Sequence, residues 1–435
     1  MNIKYKNVLV YGASLSGEWA SKLLLKYKAN VFLYDDFCNL KSRVINGIYI
    51  LEELNSNLIS QFDFIIVSPS IEEDNKFLQI AKDLNIRIYS ELEFASLFCK
   101  KYVAITGTNG KTTTTELTAK ILGKKFKSVA CGNNGYPVSK AVLNNKKCLK
   151  VIEVSSFMLE NAKCFKPQVA TVLNVTPDHL IRHKTIEKYK ELKISIFKNL
   201  STYNYAVINL DNKIKPQINC KIITYSFNKH ADVHIKNNYI YLRDNRFMAV
   251  NQVPIKGKHN LYNVMCAICF GLIYKVKPSK IKQAILEYKA ESYRIEHVAK
   301  VNGIDFINDS KSTNISSTLA SVDTIKGSII LLLGGSNKAL NYEDLFNKMS
   351  KRVKNIIAYG EIAETLNKAN NLKFKMQMCV NLNDAFDVAI KLAKTNDTIL
   401  LSPASASYDQ FTNYIERGKA FNSKVLEYEN SFKKK

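Results

Sequence analysis

Short apolar runs alternate with longer amphipathic stretches along most of the chain. The runs are rich in Val, Ile, Leu and Phe and end at polar or glycine-containing segments, which is typical of buried strands. The stretches between them have the periodicity of helices. Repeated alternation of strand and helix predicts an α/β fold built on parallel sheets. The main predicted strands cover residues 7–11, 31–34, 62–68, 86–89, 102–105, 151–154, 169–175, 206–210, 328–333, 355–359 and 398–401.

This alternation falls into three segments, which we interpret as three domains. Residues 1–97 predict a Rossmann-like sheet. Residues 98–292 begin with a strand and a glycine turn, as in P-loop-type mononucleotide-binding α/β domains, and add short strands with polar turns at about 221–256. Residues 293–435 restart the alternation and predict a second Rossmann-like domain.

The first predicted strand leads into a glycine turn at residues 12–17, and the second strand ends at Asp35. Ser14 stands where the dinucleotide fingerprint has its middle glycine, which argues against NAD. A turn at a helix N-terminus with an acidic residue at the next strand end suits a nucleotide diphosphate and its ribose or base. A purely structural turn is the alternative.

The segment 106–114 reads T-G-T-N-G-K-T-T-T between a buried strand and a helix. This is the order of a phosphate-binding loop, in which N–H groups of the helix N-terminus face the anion, Lys111 reaches the outer phosphates and the Thr112 hydroxyl binds Mg²⁺. The first glycine of the general pattern falls on Ile105, so the loop is a shorter variant. A plain turn between strand and helix is the alternative.

Polar side chains also stand where later strands end. Glu153 ends one predicted strand, and Asp178 and His179 follow the next. Open α/β sheets bind ligands at the carboxyl ends of their parallel strands, so these residues are candidate ligand contacts. Each alone has a plainer interpretation, because a single Glu at a strand end is usually solvated or capping and a single His in a loop is seldom a ligand.

The net charge of the chain bears on whether it binds nucleic acid. The chain has 435 residues and a formal charge of +25, which invites a nucleic-acid-binding interpretation. However, only eight of the 63 basic residues are arginines, and they form no arginine-rich arm. We therefore expect attraction for anionic nucleotides and no nucleic-acid partner.

Cysteine usage and hydropathy favour a cytoplasmic protein. The nine cysteines form no disulfide framework, and the pair Cys266 and Cys269 lies in an apolar helical pattern that predicts core packing rather than a zinc or redox site. No stretch approaches the apolar length of a membrane-spanning helix, and the N-terminus runs into a strand rather than a signal peptide.

Several motifs occur together in a recognisable order. They are T-G-T-N-G-K-T-T, E-V-S-S-F, N-V-T-P-D-H, the lysine of Y-K-E-L-K, H-N-x-x-N, Y-R-I-E, N-D-S-K-S-T-N and S-P-A-S-A-S-Y-D-Q-F. Together they resemble the Mur ligases, the ATP-dependent amino-acid ligases of peptidoglycan precursor synthesis. The form of the last two motifs, with E-R-G following, resembles the branch of this family that adds D-glutamate.

The resemblance implies ligation of D-glutamate to UDP-N-acetylmuramoyl-L-alanine by a cytoplasmic monomer, with ATP and two Mg²⁺ ions. The L-alanyl carboxylate would attack the γ-phosphate to give an acyl phosphate, which the D-glutamate amine then attacks. One alternative is another amide ligase of the same fold, such as the L-alanine-adding Mur ligase or a folylpolyglutamate synthase. A basic, nucleotide-regulated nucleic-acid-binding protein is a further alternative.

The resemblance also implies individual roles. The ATP phosphates would contact Gly107, Thr108, Asn109, Gly110, Lys111, Thr112, Thr113 and Thr114, and the rest of the nucleotide Asn260, Asn263, Arg294 and Asp309. The metal ligands would be Thr112, Glu153, His179 and a carbamylated Lys193, and the catalytic set Lys111, Glu153, His179, Lys193 and Asp309. Uridine diphosphate would contact Leu15, Ser16, Asp35 and Ser70, the muramoyl group Asn133, and D-glutamate Lys311, Thr313, Lys338, Ser407 and Tyr414.

Four features depart from the family pattern. Ser70 replaces a glycine that is common in the S-P-G turn, and Ile181 stands where related enzymes often have an aspartate. The segment S-N-K-A-L-N-Y after Gly335 keeps Lys338 but lacks a glycine or acidic residue often seen there, and Tyr414 stands where phenylalanine is common. The first two changes affect the expected fit of the uridine diphosphate group and the surroundings of the D-H motif.

Overall fold

The computed structural model describes residues 2–36, 46–212, 214, 216–289, 292–337 and 340–433. The chain forms two compact units. The first unit contains Met1–Val175, Glu187–Pro254 and Tyr262–Tyr288, and the second contains Thr176–Ile186, Ile255–Leu261 and Lys289–Lys435. Among the described residues, no helix combines the length and apolar character that crossing a bilayer requires.

The first sheet, in the first unit, has five parallel strands in the order β3-β2-β1-β4-β5. The order reverses between β1 and β4, which creates a crevice at their carboxyl ends. The strands are β1 (Asn7–Tyr11), β2 (Asn30–Tyr34), β3 (Ile48–Ile50), β4 (Phe64–Val67) and β5 (Arg87–Ser90). The helices are α1 (Leu15–Lys26), α2 (Ser56–Ile59), α3 (Lys76–Asp83) and α4 (Glu91–Ser96).

The second sheet, also in the first unit, has nine strands in the order β14-β13-β12-β11-β10-β9-β6-β8-β7. Strands β6 to β12 run parallel, and the hairpins to β13 and β14 are antiparallel. The strands are β6 (Tyr102–Thr106), β7 (Ser128–Gly132), β8 (Leu149–Glu153), β9 (Val169–Val172), β10 (Tyr205–Asn209), β11 (Lys221–Ser226), β12 (Val233–Lys236), β13 (Tyr239–Leu242) and β14 (Asn245–Ala249). The helices of this region are α5 (Lys111–Gly123), α6 (Val138–Asn144), α7 (Ser156–Glu160), α8 (Leu180–His183), α9 (Ile186–Ile194), α10 (Lys258–Ile273) and α11 (Pro278–Leu286).

The third sheet, in the second unit, has six strands in the order β15-β16-β20-β17-β18-β19. All neighbours are parallel except the antiparallel pair β15 and β16. The strands are β15 (Glu296–Val301), β16 (Ile304–Asn308), β17 (Ser328–Gly334), β18 (Val353–Tyr359), β19 (Lys375–Cys379) and β20 (Asp397–Ala404). The helices are α12 (Ile315–Thr324), α13 (Glu343–Lys348), α14 (Ala363–Asn370), α15 (Leu382–Leu392) and α16 (Tyr414–Lys433).

Burial explains why these segments form parallel sheets. Central strands such as β6 and β20 are buried along their whole length, so both faces are covered and apolar residues predominate in their centres. One core joins the first two sheets, because side chains of α1 such as Leu23 and side chains of α6 such as Ala141 belong to the same buried cluster. The predicted domain limits at 97/98 and 292/293 fall between the sheets, and they remain predictions.

Candidate functional site

A glycine turn lies at the carboxyl end of β6, where the sequence predicts a phosphate loop. Gly110 has φ of +82°, and a Cβ there would lie 2.3 Å from Asn263 Oδ1, so only glycine fits between the turn and α10. A Cβ on Gly107 would approach Leu173 Cβ to 2.9 Å. Helix α5 begins at Lys111, directly after the turn. Its N-terminal N–H groups therefore border the loop and favour an anion there.

Two lysine ammonium groups meet at one carbonyl of this loop. Lys111 Nζ donates to Gly107 O at 2.9 Å and to Thr108 O at 2.8 Å. Lys193 Nζ donates to the same Gly107 O at 3.0 Å, and it lies 4.5 Å from the centre of the Tyr189 ring. Lys193 is only 1% exposed, which is rare for lysine. The loop thus combines the positive end of a helix with two cationic side chains.

Glu153 has the surroundings expected of a cation ligand. It ends β8 and is the ladder partner of Ile105, the residue before the last position of β6. Its Oε1 accepts a hydrogen bond from Asn133 Nδ2 at 3.0 Å, whereas the buried Oε2 has no hydrogen-bond partner among the described residues. Buried oxygens are normally satisfied, and a hard cation such as Mg²⁺ prefers carboxylate and hydroxyl oxygens. The unpaired oxygen of Glu153 therefore fits a Mg²⁺ ligand, although no group of three acidic, His or Cys side chains in the described parts of the chain is placed to hold a metal ion.

Asn174 clamps the phosphate loop from the neighbouring strand. Its Oδ1 accepts from Asn109 N at 2.9 Å, and its Nδ2 donates to Asn109 O at 3.0 Å. Its main-chain carbonyl accepts from Thr108 N at 2.9 Å. Three hydrogen bonds with one residue thus fix Thr108 and Asn109, the two loop positions between Gly107 and Gly110.

The predicted uridine diphosphate residues lie at the crevice of the first sheet. Asp35 Oδ2 accepts from Ala13 N at 2.6 Å, which ties the second strand end to the turn before α1. Leu15 begins α1 and is half exposed. Ser68 Oγ donates to Gly12 O at 3.0 Å and holds the same turn from β4. This places the turn, Asp35 and the segment leading to Ser70 at the point where the strand order reverses.

The D-H motif belongs to the second unit. His179 has a left-handed backbone with φ of +55°, and its Nε2 lies 3.7 Å from Asp178 Oδ2. Asn314 Nδ2 donates to Asp178 Oδ2 at 3.2 Å, and Thr176 and Ser316 share a hydrogen bond of 3.0 Å. Thr112, Glu153 and Lys193 belong to the first unit, so the structure brings those three predicted metal ligands into one unit and His179 into the other.

A buried carboxylate and an arginine mark the predicted nucleotide contacts of the second unit. Asp309 accepts from Ser321 Oγ at 2.6 Å, Ser402 Oγ at 2.7 Å and Ile295 N at 3.2 Å. Burial raises the pKa of Asp309, and hydrogen bonds partly oppose that shift. Arg294 Nε is buried without a hydrogen-bond partner among the described residues, so it has a donor available for a ligand.

Two residues of this nucleotide set, Asn260 and Asn263, lie near the start of helix α10. Asn260 is buried, and its Nδ2 donates to Lys256 O at 2.7 Å. The neighbouring His259 has its pKa lowered to about 4, first by burial and then by the charge of Arg294. His259 is therefore neutral at physiological pH and adds no charge to this region.

The predicted D-glutamate residues lie on loops at the carboxyl end of the third sheet. Lys311 Nζ lies 5.4 Å from the centre of the Tyr414 ring, and Ser310 Oγ donates to Tyr414 O at 2.8 Å. Ser407 is buried and lies three residues after the end of β20. The structure thus brings Lys311 together with Tyr414. Lys338 lies outside the described residues.

Sequence reasoning assigned no role to several residues that contact this machinery. Asn174 stands inside N-V-T-P-D-H, and its position after a strand was the only available signal. Tyr189 precedes Lys193 by one helical turn and its hydroxyl lies 3.3 Å from Thr108 Oγ1, a spacing that helical periodicity could have pointed out. Arg417 is fully buried, and nothing in its polar sequence context predicts this.

Comparison with known proteins covers nearly the whole chain. Residues 105–271 match the model of the Mur ligase middle domain, and residues 293–405 match that of the Mur ligase, glutamate ligase domain. A UDP-N-acetylmuramoylalanine--D-glutamate ligase of Caldicellulosiruptor bescii is 35% identical, over 98% of this chain and 99% of the relative. A protein of the same name from Alkaliphilus metalliredigens is also 35% identical, over 98% and 99% of the two chains.

Solved structures are similar over the same length. MurC of Thermotoga maritima, a UDP-N-acetylmuramate-alanine ligase, aligns with a TM-score of 0.62 at 16% identity, over 98% of this chain and 99% of the other. MurF of Thermotoga maritima, solved in complex with ADP, aligns with a TM-score of 0.62 at 15% identity, over 98% and 96%. Likeness at these identities shows a shared fold and confirms the predicted three-domain α/β class.

Proposed function

Because this chain belongs to the Mur ligase family, we propose that it joins D-glutamate to UDP-N-acetylmuramoyl-L-alanine with cleavage of ATP to ADP and phosphate. The observation that carries this proposal is the 35% identity, across 98% of the chain, with a protein named for that reaction. The enzyme would act in the cytoplasm, as a monomer, in peptidoglycan precursor synthesis.

The phosphate loop supplies the first half of the reaction. The N–H groups at the start of α5 and the Lys111 ammonium hold the β- and γ-phosphates of ATP, with Lys111 leaving the carbonyls of Gly107 and Thr108 to do so. Asn260, Asn263, Arg294 and Asp309 hold the rest of the nucleotide. The L-alanyl carboxylate oxygen attacks the γ-phosphorus in line with the leaving ADP oxygen, and an acyl phosphate forms.

Two Mg²⁺ ions fit the donor set that we propose. Thr112 and Glu153 hold one ion, for which the unpaired Glu153 Oε2 is the best support in the structure. His179 and Lys193 hold the other, with Lys193 carbamylated. Carbamylation would replace a buried cation, which is unfavourable in this 1%-exposed position, with an anionic oxygen ligand. When bound, Mg²⁺ neutralises the charge that develops on the transferred phosphoryl group.

The second unit supplies the amino acid. Lys311, Thr313, Lys338, Ser407 and Tyr414 hold D-glutamate so that its amine faces the acyl phosphate. The amine attacks the carbonyl carbon, the amine loses a proton, and the C–O bond to phosphate breaks. Leu15, Ser16, Asp35 and Ser70 meanwhile hold the uridine diphosphate group, and Asn133 lies beside the muramoyl group. Positioning of this kind accounts for most of the rate in such transfers.

An amino-acid panel in a phosphate-release assay tests the proposal. The protein, ATP and Mg²⁺ are incubated with UDP-N-acetylmuramoyl-L-alanine and either D-glutamate, L-glutamate, L-lysine or meso-diaminopimelate, and in parallel with UDP-N-acetylmuramate and L-alanine. We expect release of phosphate, and a product heavier by one glutamyl residue, only with D-glutamate. Release with L-alanine on UDP-N-acetylmuramate, and none with D-glutamate, would refute the proposal in favour of the L-alanine-adding reaction.

A further inference from the structure

One arginine is buried at the base of the loops that carry the proposed amino-acid site. Arg417 lies in the first turn of α16 and is 0% exposed. Its Nε donates to Ser310 Oγ at 3.0 Å, and its Nη2 donates to Ser310 O at 2.9 Å and Ser405 O at 3.0 Å. Its Nη1 donates to Ala406 O at 3.2 Å and Gly334 O at 3.4 Å. The five partners use all five N–H donors of a guanidinium.

These partners come from three separate loops at the carboxyl end of the third sheet. The three carboxyl-end loops are residues 308–314, after β16, residues 334–336, after β17, and residues 404–407, at the end of β20. The first carries Lys311 and Thr313, and the third carries Ser407. Arg417 therefore forms hydrogen bonds with the loops from which D-glutamate contacts are proposed.

The backbone of the second loop passes close to the Arg417 side chain at Gly335. A Cβ on Gly335 would lie 1.9 Å from Ala406 O and 3.1 Å from Arg417 Nη1, so the second loop passes the guanidinium without a side chain. Gly335 has φ of +129°, which side chains rarely adopt. Replacing either Gly335 or Arg417 would thus disturb the contact between the second loop and the guanidinium.

The hydrogen-bond acceptors of Arg417 carry no formal charge. All five are neutral oxygens, four carbonyls and one hydroxyl. The carboxyl groups of Asp309 and Asp409 also interact with the guanidinium electrostatically. Burial lowers the pKa of Arg417, but arginine keeps its proton at any physiological pH. Acceptors on the three loops thus fix the position of the side chain, and its loss would leave those oxygens without this donor.

We propose that Arg417 is a positioning residue for the amino-acid substrate, which sets the spacing of the three carboxyl-end loops. The inference rests on the proposed function, because it takes the ligand of these loops to be D-glutamate. Asp309 of the proposed nucleotide set lies in the first of these loops, next to Ser310, but it is also held by Ser321 and Ser402. The effect on the nucleotide should therefore be smaller than the effect on the amino acid.

The test separates amino-acid affinity from nucleotide affinity in the full-length enzyme. Arg417→Ala and Arg417→Lys are compared with the wild type for kcat/KM toward D-glutamate, and for the dissociation constant of a non-hydrolysable ATP analogue with Mg²⁺. We expect Arg417→Ala to lose on the order of 10²-fold in kcat/KM for D-glutamate, with a much smaller loss of nucleotide affinity. Arg417→Lys should lose less, because it keeps the charge but has three donors instead of five.

Chemical rescue gives a readout that a merely stabilising role would not provide. Ethylguanidinium has the atoms that Arg417→Ala lacks and should lower the KM for D-glutamate in that variant, whereas ethylammonium, which has charge without the planar fork, should not. Arg352→Ala is the matched control. Arg352 also donates to backbone carbonyls of the same unit, those of Ile325 at 2.8 Å and Val322 at 3.3 Å, but at the amino end of β17.

The outcomes distinguish this inference from the proposed function. If the wild type shows no D-glutamate-dependent phosphate release, the proposed function fails and the ligand of these loops has been misassigned. If the wild type is active and Arg417→Ala keeps its KM for D-glutamate, or loses amino-acid and nucleotide affinity equally and resists rescue, the positioning role is wrong. Should Arg417→Ala fail to fold, the same comparison of KM against nucleotide affinity is made with Arg417→Lys, and an unchanged KM there overturns the role.

Discussion

Asn174 offers the sharpest test of how the phosphate loop is held. Asn174→Asp keeps the size of the side chain and the acceptor for Asn109 N, but it replaces the amide that donates to Asn109 O with a second carboxylate oxygen. The Asn109 carbonyl then loses its donor and faces an anion. An unsatisfied polar group of this kind costs about 1–3 kcal/mol. Because a factor of ten in affinity corresponds to about 1.4 kcal/mol, ATP should bind about 5- to 140-fold more weakly.

Asn174→Ala distinguishes the effect of losing the two hydrogen bonds from the effect of adding a negative charge. It removes both side-chain bonds to Asn109 and adds no carboxylate near the phosphates. We therefore expect ATP affinity to fall in the order wild type, Ala, Asp at low salt. The difference in ATP affinity between Asn174→Ala and Asn174→Asp should become smaller as the salt concentration rises, because screening reduces the repulsion between the carboxylate and the phosphates.

Calorimetric titration with a non-hydrolysable ATP analogue and Mg²⁺ measures this order, and thermal unfolding of each variant measures stability. Asn204→Asp is the matched control. Asn204 is a buried amide of the same unit whose Oδ1 accepts from Ser201 N at 2.9 Å and whose Nδ2 donates to Pro167 O at 3.2 Å, just before β10. It should lose stability without losing ATP affinity. Equal ATP affinities for the wild type and both Asn174 variants would refute the clamp.

Three further predictions follow from buried or paired charges. Lys193→Ala should lose ligase activity and regain part of it with formate or acetate, which supply the missing carboxylate, while the exposed Lys190→Ala stays active; full activity of Lys193→Ala without rescue would contradict the metal-ligand role. The folded-state pKa of His259 is lowered from 6.5 to about 4, so its contribution to stability should be lost as pH falls from 6.5 toward 4; His259→Gln should flatten the acid limb of the unfolding curve, and an unchanged limb would count against it. Burial raises the pKa of Glu91, so ionising it destabilises the folded state as pH rises above 4.5; the melting temperature of Glu91→Gln relative to the wild type should increase from pH 4.5 to neutral pH, and a constant difference would exclude this account.

The sequence was most informative where burial follows a local pattern. Continuous apolar runs predicted the central strands within a few residues; β17, for example, was expected at 328–333 and spans Ser328–Gly334. Runs of this kind are a clear signal because a parallel strand covered on both faces is apolar along most of its length. Strand β7, S-V-A-C-G, was not predicted, because a strand at the end of the sheet needs little apolar surface and its residues are mostly half-buried.

The pattern of apolar and polar residues could not predict contacts between segments that are distant in sequence. Arg417 bonds to Ser310, which is 107 positions away, and nothing near Arg417 records that partner. Lys193 lies in Y-K-E-L-K-I, which has the composition of a solvated helix face, yet it is 1% exposed because α9 turns that face toward the phosphate loop. Family resemblance identified Lys193 by motif order, and only the fold supplied its burial and its contact with Gly107.

The position of Ile105 shows why the phosphate loop departs from the general pattern. Ile105 is completely buried within β6, between Glu153 of β8 and Thr171 of β9. The strand therefore continues through the place where a longer loop would begin with glycine, and the turn is confined to residues 107–110. This extension keeps the ladder intact up to Glu153, so its carboxylate is fixed beside the loop by backbone pairing. A glycine at 105 would loosen a fully buried strand and, with it, the register that places Glu153; the shorter loop and the strand-end carboxylate are thus one structural solution.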